Sequence, residues 1–125
     1  MKTSKDFMEE ANAVVPRITA EEGIALHSAG TAVFVDVRDS GMVAQTGTIA
    51  GAERIARGMI EFCACDTTNF YNQALQKNQK IALVCGAGGQ AALAGKTLVD
   101  MGYTDVVNVG GFSDWKEAGG PTEEG

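Results

Sequence analysis

Histidine is almost missing from this chain, cysteine is scarce and odd in number, and basic residues are outnumbered by acids. The single histidine, His27, falls in an early helical segment remote from the glycine-rich loop at 86–89. A surface or helix-end role suits it, and any nucleophile in the loop has to work without a histidine base. Three cysteines do not make a disulfide framework, and a reducing compartment keeps them as thiols. As a metal site they lack a fourth ligand and the C-x-x-C spacing, so no metal is expected. Ten Lys and Arg against 16 Asp and Glu leave a net charge of −6, which argues against nucleic acid or an anionic membrane as partner. There is no long hydrophobic run. The first residues, MKTSKDFMEEANAVV, carry acids inside their apolar stretch. Neither a signal peptide nor a membrane span is expected, and the cytoplasm is the expected compartment. Gly110-Gly111 is no nucleotide fingerprint, and GGQAALAG lacks the P-loop lysine, so no cofactor is expected either.

What the chain does have is enough apolar content, 45% of 125 residues, for one compact domain over 1–125 without a staple. It is organised around residues 80–100, KIALVCGAGGQAALAGKTLVD. The run 81–84 is unbroken and apolar, as a strand buried on both faces requires. From 91 to 101, Ala92, Leu93, Leu98 and Met101 recur at helical spacing. Between the two lies Cys85, followed by Gly86, Ala87, Gly88 and Gly89. A cysteine at the carboxyl end of a buried strand, entering a loop that opens a helix, faces the crevice of a parallel sheet. Unpaired N–H groups and the helix dipole there favour an anion, and the thiolate is the reactive form of cysteine. The loop is therefore read as the active site, with Cys85 as nucleophile and residues 86–90 as a cradle for negative charge.

In chain order, 4–14 reads as an amphipathic helix capped by Ser4, with Phe7, Met8, Ala11 and Val15 on its apolar face and Pro16 at its end. Residues 17–19 form a short edge strand, and Thr19 with Glu22 makes a capping box for a helix over 20–28 that Gly30 stops. AVFVDV at 32–37 is a second central strand. Residues 39–48 read as a loop with a helical turn at 42–45, 53–56 as a strand, 58–63 and 70–77 as helices, 103–109 as a final strand and 112–118 as a last helix anchored by Trp115. The tail 122–125 is expected to fray. The alternation selects a three-layer α/β/α fold around a mainly parallel sheet of about five strands.

Taken together, VFVDVRD at 33–39, GTIAGA at 47–52, the Cys85 loop and GYTDVVNVGGFSDWKEAGGP at 102–121 resemble a single-domain rhodanese. The resemblance covers the chain from about residue 16 onward and leaves 1–15 as a helical extension. It implies a sulfurtransferase that takes sulfane sulfur from a small donor such as thiosulfate onto Cys85 as a persulfide. The sulfur then passes to cyanide, to a thiol or to a protein acceptor. Active relatives carry an arginine and then a hydroxyl residue where this chain has Gln90 and Ala91. Gln90 donates a hydrogen bond but supplies no charge, so thiosulfate use is expected to weaken by about 1.5–3 kcal/mol. In GTIAGA, Thr48 and Ala50 stand where relatives often have histidine and proline, a change in loop stiffness.

Other candidates surround the loop. Arg57 is a cation able to meet an anionic donor, or it forms an exposed i,i+4 ion pair with Glu61. Cys63 and Cys65 could resolve a persulfide on Cys85, or they are small apolar residues filling a helix end. Asp36 and Arg38 are expected to tie a strand end to the next loop. Two other functions compete: a binding or regulatory module that kept the fold and lost turnover, favoured by Gln90 and Ala91, and a cysteine phosphatase or arsenate reductase, disfavoured because the loop has no arginine.

Overall fold

The computed structural model describes residues Met1–Gly125. In chain order the elements are α1 (Ser4–Val14), α2 (Ala20–Ala29), β1 (Ala32–Asp36), α3 (Ser40–Thr46), β2 (Thr48–Ile49) and β3 (Glu53–Arg54). A 3₁₀ turn (Arg57–Met59) then leads into α4 (Ile60–Cys63), β4 (Lys80–Cys85), α5 (Gly89–Asp100), β5 (Val106–Gly111), α6 (Phe112–Glu117) and β6 (Thr122–Glu123).

Four strands make the central sheet in the order β3-β1-β4-β5, every neighbour parallel. About five were expected. The fifth survives as a single parallel bridge, Arg17 to Asn108, because Pro16 has no N–H to extend the ladder and Thr19 already caps α2. Side chains alternate across the sheet and divide the core in two. Val35, Val37, Ile81, Leu83 and Cys85 pack with Val15, Ile60, Ala91, Ala94 and Leu98 on the α1, α4 and α5 side. Phe34, Ala82, Val84, Val107 and Val109 pack with Phe112 and Trp115 on the α2 and α6 side. These are the three layers. α1 lies on α5 where Gly95 has no side chain, and the Val15 methyls fill that space.

Several local expectations are corrected. Thr3, not Ser4, caps α1, in a capping box with Asp6. Phe7 is 48% exposed, since Ala11 and Val15 alone complete the buried stripe of α1. Residues 70–77 form turns and no helix: Asn72 bonds the Ala74 N–H through its side chain, which competes with helical pairing. The strand expected over 53–56 stops at Arg54, and the helix over 58–63 is a 3₁₀ turn plus one α turn. The last strand starts at Val106 and runs on to Gly111. The tail, expected to fray, pairs Thr122 and Glu123 antiparallel with Ile49 and Thr48. The Gly51 N–H and then the Arg54 guanidinium hold the Glu123 carboxyl below its usual range.

One buried ion pair fixes the carboxyl end of β1. Asp36, fully buried, accepts from Arg38 Nη2 and from Thr48 Oγ1, both at 2.7 Å. Arg38 spends its other donors on Thr46 Oγ1 and the Gly47 carbonyl, both at 2.8 Å, and stacks over the Phe112 ring. A second anchor is Tyr103, whose hydroxyl donates to the carbonyls of Ala64 and Leu75 and so ties the long 64–79 connection to the core.

Replacing Asp36 by Ala leaves Arg38 buried without its counter-charge, and urea unfolding is expected to show a loss of about 3–5 kcal/mol. Tyr103→Phe removes one buried donor and costs about 1 kcal/mol by the same measurement. Burial pushes the Tyr103 hydroxyl from 10.0 up to about 12. Folding therefore favours the neutral phenol, and this contribution is complete below the unfolded value near 10 and lost as pH rises toward about 12, a loss absent from the Phe variant.

Candidate active site

Cys85 ends β4, 1% exposed, and its sulfur points into the first turn of α5. Two backbone donors converge on it: the Gly88 N–H at 3.0 Å and the Ala91 N–H at 3.3 Å. Gly88 takes φ +100, a left-handed conformation that turns the loop back over the sulfur and that few other residues adopt. Both donors belong to the amino terminus of a twelve-residue helix, where unpaired N–H groups favour negative charge.

The strand next door shapes the loop from below. A register shift between Leu83 and Val84 brings Gly110 and Gly111 beside Val84 and Cys85. A Cβ on Gly111 would overlap the Gly86 carbonyl oxygen, so the loop approaches β5 as closely as backbone can. Buried Asn108 donates from Nδ2 to the Gly88 carbonyl at 2.9 Å and accepts the Gly110 N–H at 2.8 Å. Arg17, on the segment bridged to Asn108, lays its guanidinium against Gly88 and Gly110 and donates to the Ala87 carbonyl at 3.4 Å.

A cavity of ≈ 480 Å³ opens beside Gly86. Met42 and Phe112 give it apolar walls, Thr46 and Ser113 hydroxyls, and Lys116 a cation with no carboxylate within ion-pair distance. Arg38 also reaches its wall with its donors already engaged.

The structure places the remaining candidates as follows. Gly86, Ala87 and Gln90 are exposed at the loop surface, and Gly89 is half-buried. Arg57 pairs with Glu61 at 3.1 Å and donates to Thr97 Oγ1 at 3.0 Å. It lines a groove under α1 that reaches Gly89 on the α5 side. Cys63 is half-buried against the core, and burial pushes its thiol up. Cys65 hydrogen-bonds Thr67 Oγ1 at 3.1 Å, and the Thr67 side chain followed by its backbone pulls this thiol down. All three cysteines are free thiols. His27 lies on the other side of the sheet from Cys85: its Nε2 meets the Ala50 carbonyl at 2.7 Å, and its ring packs edge-on against Trp115. Arg17, Asn108 and Lys116 escaped the sequence reading. Asn108 alone left a signal, as the one polar residue in the apolar run VVNVGG.

The family described as Rhodanese-like domain matches residues 19–118. The search of curated proteins found no match. Among solved structures, a Rhodopseudomonas palustris protein of unknown function, termed a possible tyrosine phosphatase, is 36% identical, with a TM-score of 0.92 over 98% of this chain and 96% of that one. A human single-domain sulfurtransferase is 26% identical, with a TM-score of 0.71 over 82% of this chain and 96% of that one. A rhodanese with anions from E. coli is 28% identical, with a TM-score of 0.59 over 75% of this chain and 99% of that one.

Gly111→Ala drives a methyl group into the Gly86 carbonyl and lifts the loop off β5. The expected outcome is a destabilisation of about 1–3 kcal/mol in urea unfolding, the usual range for overpacking, whereas Gly86→Ala meets nothing within 4 Å and leaves stability within about 1 kcal/mol.

Proposed function

The chain belongs to the rhodanese-like family, and from that membership we propose that it is a sulfurtransferase or persulfide carrier with Cys85 as the sulfur-accepting residue. The observation that carries the proposal is the pair of N–H groups from Gly88 and Ala91 on the Cys85 sulfur. In the forward step the Cys85 thiolate attacks the sulfane sulfur of a donor. A bond forms between Sγ and that sulfur, the donor's own bond to it breaks, and the donor leaves with the electron pair, as sulfite from thiosulfate, as a thiolate from a persulfide or, from mercaptopyruvate, as the enolate of pyruvate. The persulfide keeps one negative charge, on its outer sulfur, for which the amides of 86–90 are the proposed cradle. An acceptor, cyanide, a thiol or a protein cysteine, then attacks the outer sulfur and regenerates the Cys85 thiolate.

We read 1–125 as one such unit, with 1–15 as a helical extension seated on α5. The donor enters by the cavity next to Gly86, where Lys116 meets an anion and Met42 and Phe112 meet a carbon skeleton. Arg57 is the less favoured cation, since Glu61 and Thr97 already take its donors. Cys63 and Cys65 remain candidate resolving thiols, Cys63 packed against the core cluster that contains Cys85. No helix is long and apolar enough to cross a membrane. We place the protein in the cytoplasm among small sulfur donors.

A second reading rests on Gln90: with no cation in the loop, the fold serves as a weakly catalytic binding or regulatory module. A phosphatase reading follows from the description of the Rhodopseudomonas palustris neighbour. It lacks support in the loop, since residues 85–91 contain no arginine to grip a phosphoryl group.

Incubation with thiosulfate, glutathione persulfide or mercaptopyruvate is expected to add one sulfur to the intact mass, and Cys85→Ala is expected to add none. Equal gain in that variant removes Cys85 as the acceptor. Gln90→Arg is expected to raise thiosulfate turnover about tenfold or more, the worth of one charge-assisted hydrogen bond. No loading with any donor favours the binding module. Hydrolysis of an aryl phosphate that vanishes in Cys85→Ser favours the phosphatase.

A further inference from the structure

Arg17 precedes the segment 19–118 that matches the family. Its side chain nevertheless ends at the Cys85 loop, and it carries no carboxylate partner within ion-pair distance. The peptide between Ala87 and Gly88 is bonded at both of its ends. Its oxygen accepts from Arg17 Nη2 at 3.4 Å, and its N–H donates to the Cys85 sulfur at 3.0 Å. A peptide is one conjugated unit, so a cation at the oxygen draws density from the nitrogen and makes the N–H a stronger donor. Linked hydrogen bonds strengthen one another in this way by roughly 10–30% each. On the next peptide the Gly88 carbonyl accepts from neutral donors, Asn108 Nδ2 and the Ala92 N–H, and no N–H to the sulfur is paired with them.

The geometry points to Arg17 as a positioning residue that polarises the Ala87–Gly88 peptide onto the Cys85 sulfur and supplies, from behind the loop, the positive charge that Gln90 does not. Gly88 and Gly110 are bare where the guanidinium lies; a Cβ on Gly88 would overlap it, and one on Gly110 would come within 2.8 Å of Nη2. The other charged groups around the loop do not duplicate the role. Arg38 is bound to Asp36 and Arg57 to Glu61, while Lys116 and Glu117 flank the mouth beside Gly86. Arg17 never touches the sulfur. It acts through backbone, so it stabilises negative charge on the Cys85 sulfur itself.

The inference rests on Cys85 as the reactive thiol, and its test reads ionisation rather than sulfur transfer. The thiolate absorbance of the intact protein is titrated with pH, and the same titration on a Cys85→Ala partner is subtracted to remove Cys63, Cys65 and the tyrosines. Arg17→Met, which keeps the packing and loses the charge, is expected to move the Cys85 midpoint upward by about half a unit or more. Arg17→Lys is expected to stay close to the parent. Arg17→Gln takes the place of the Met variant if that one does not fold. A midpoint unchanged in the charge-free variant overturns the proposal, as does an equal displacement in Arg17→Lys. A displaced titration in a protein that loads no sulfur keeps this inference and discards the sulfurtransferase reading.

Discussion

Two backbone N–H groups meeting one sulfur set the terms for the rest of this structure. For Gly88 and Ala91 to reach Cys85 Sγ, the loop has to fold tightly back over the end of β4. That fold turns carbonyls to its outer side, that of buried Gly88 and that of exposed Ala87, where side-chain donors reach them. Arg17 and Asn108 supply them. It also needs the loop to press against β5, which only a glycine at 111 permits. The β4–β5 register shift, the Pro16–Ile18 segment bridged to Asn108, and the bare glycines at 88 and 110 all serve that one convergence.

Charge is distributed around the sulfur in layers. Inside the cradle there are only peptide dipoles. Behind it lies Arg17, and beside its mouth lies Lys116, neither neutralised by a carboxylate. Arg38 is equally near the mouth but serves stability, since Asp36, Thr46 and Gly47 take its donors and Phe112 covers its face. In a chain of net charge −6, two of the three Lys and Arg residues outside ion pairs, Arg17 and Lys116, thus lie around this loop, while the third, Lys77, lies against Gly102.

Fold and chemistry are separable in this family. The 36% identical neighbour is termed a possible tyrosine phosphatase, whereas two others at 26% and 28% identity are a sulfurtransferase and a rhodanese. A shared scaffold does not by itself fix the reaction, so function has to be argued from the loop residues. Here they present amide donors and no guanidinium. That favours holding a sulfur anion over gripping a phosphoryl group.

Strand and helix order, the position of Cys85 and the glycine-rich turn into α5 were legible in the residues themselves, because they follow from local rules: apolar runs, helical periodicity and a thiol at a strand end. The capping box of α2 read correctly for the same reason, as Thr19 and Glu22 are three residues apart. What failed was non-local. Asn72 and its neighbours look helical in isolation but are held as turns by side-chain bonds to Glu53 and Ala74, and the tail is ordered by Gly51 and Arg54, some seventy residues away. For Arg57 the i,i+4 pair with Glu61 was legible in the spacing and forms, but the bond to Thr97, forty residues on, was not. Arg17 was invisible as a site residue because seventy positions separate it from Ala87. By itself, then, the sequence determined that Cys85 ends a buried strand and enters a glycine-rich turn at the head of a helix, since both are properties of one contiguous stretch. Only the tertiary structure decided where the positive charge sits, because a long side chain finds its partner through space and leaves no trace in spacing.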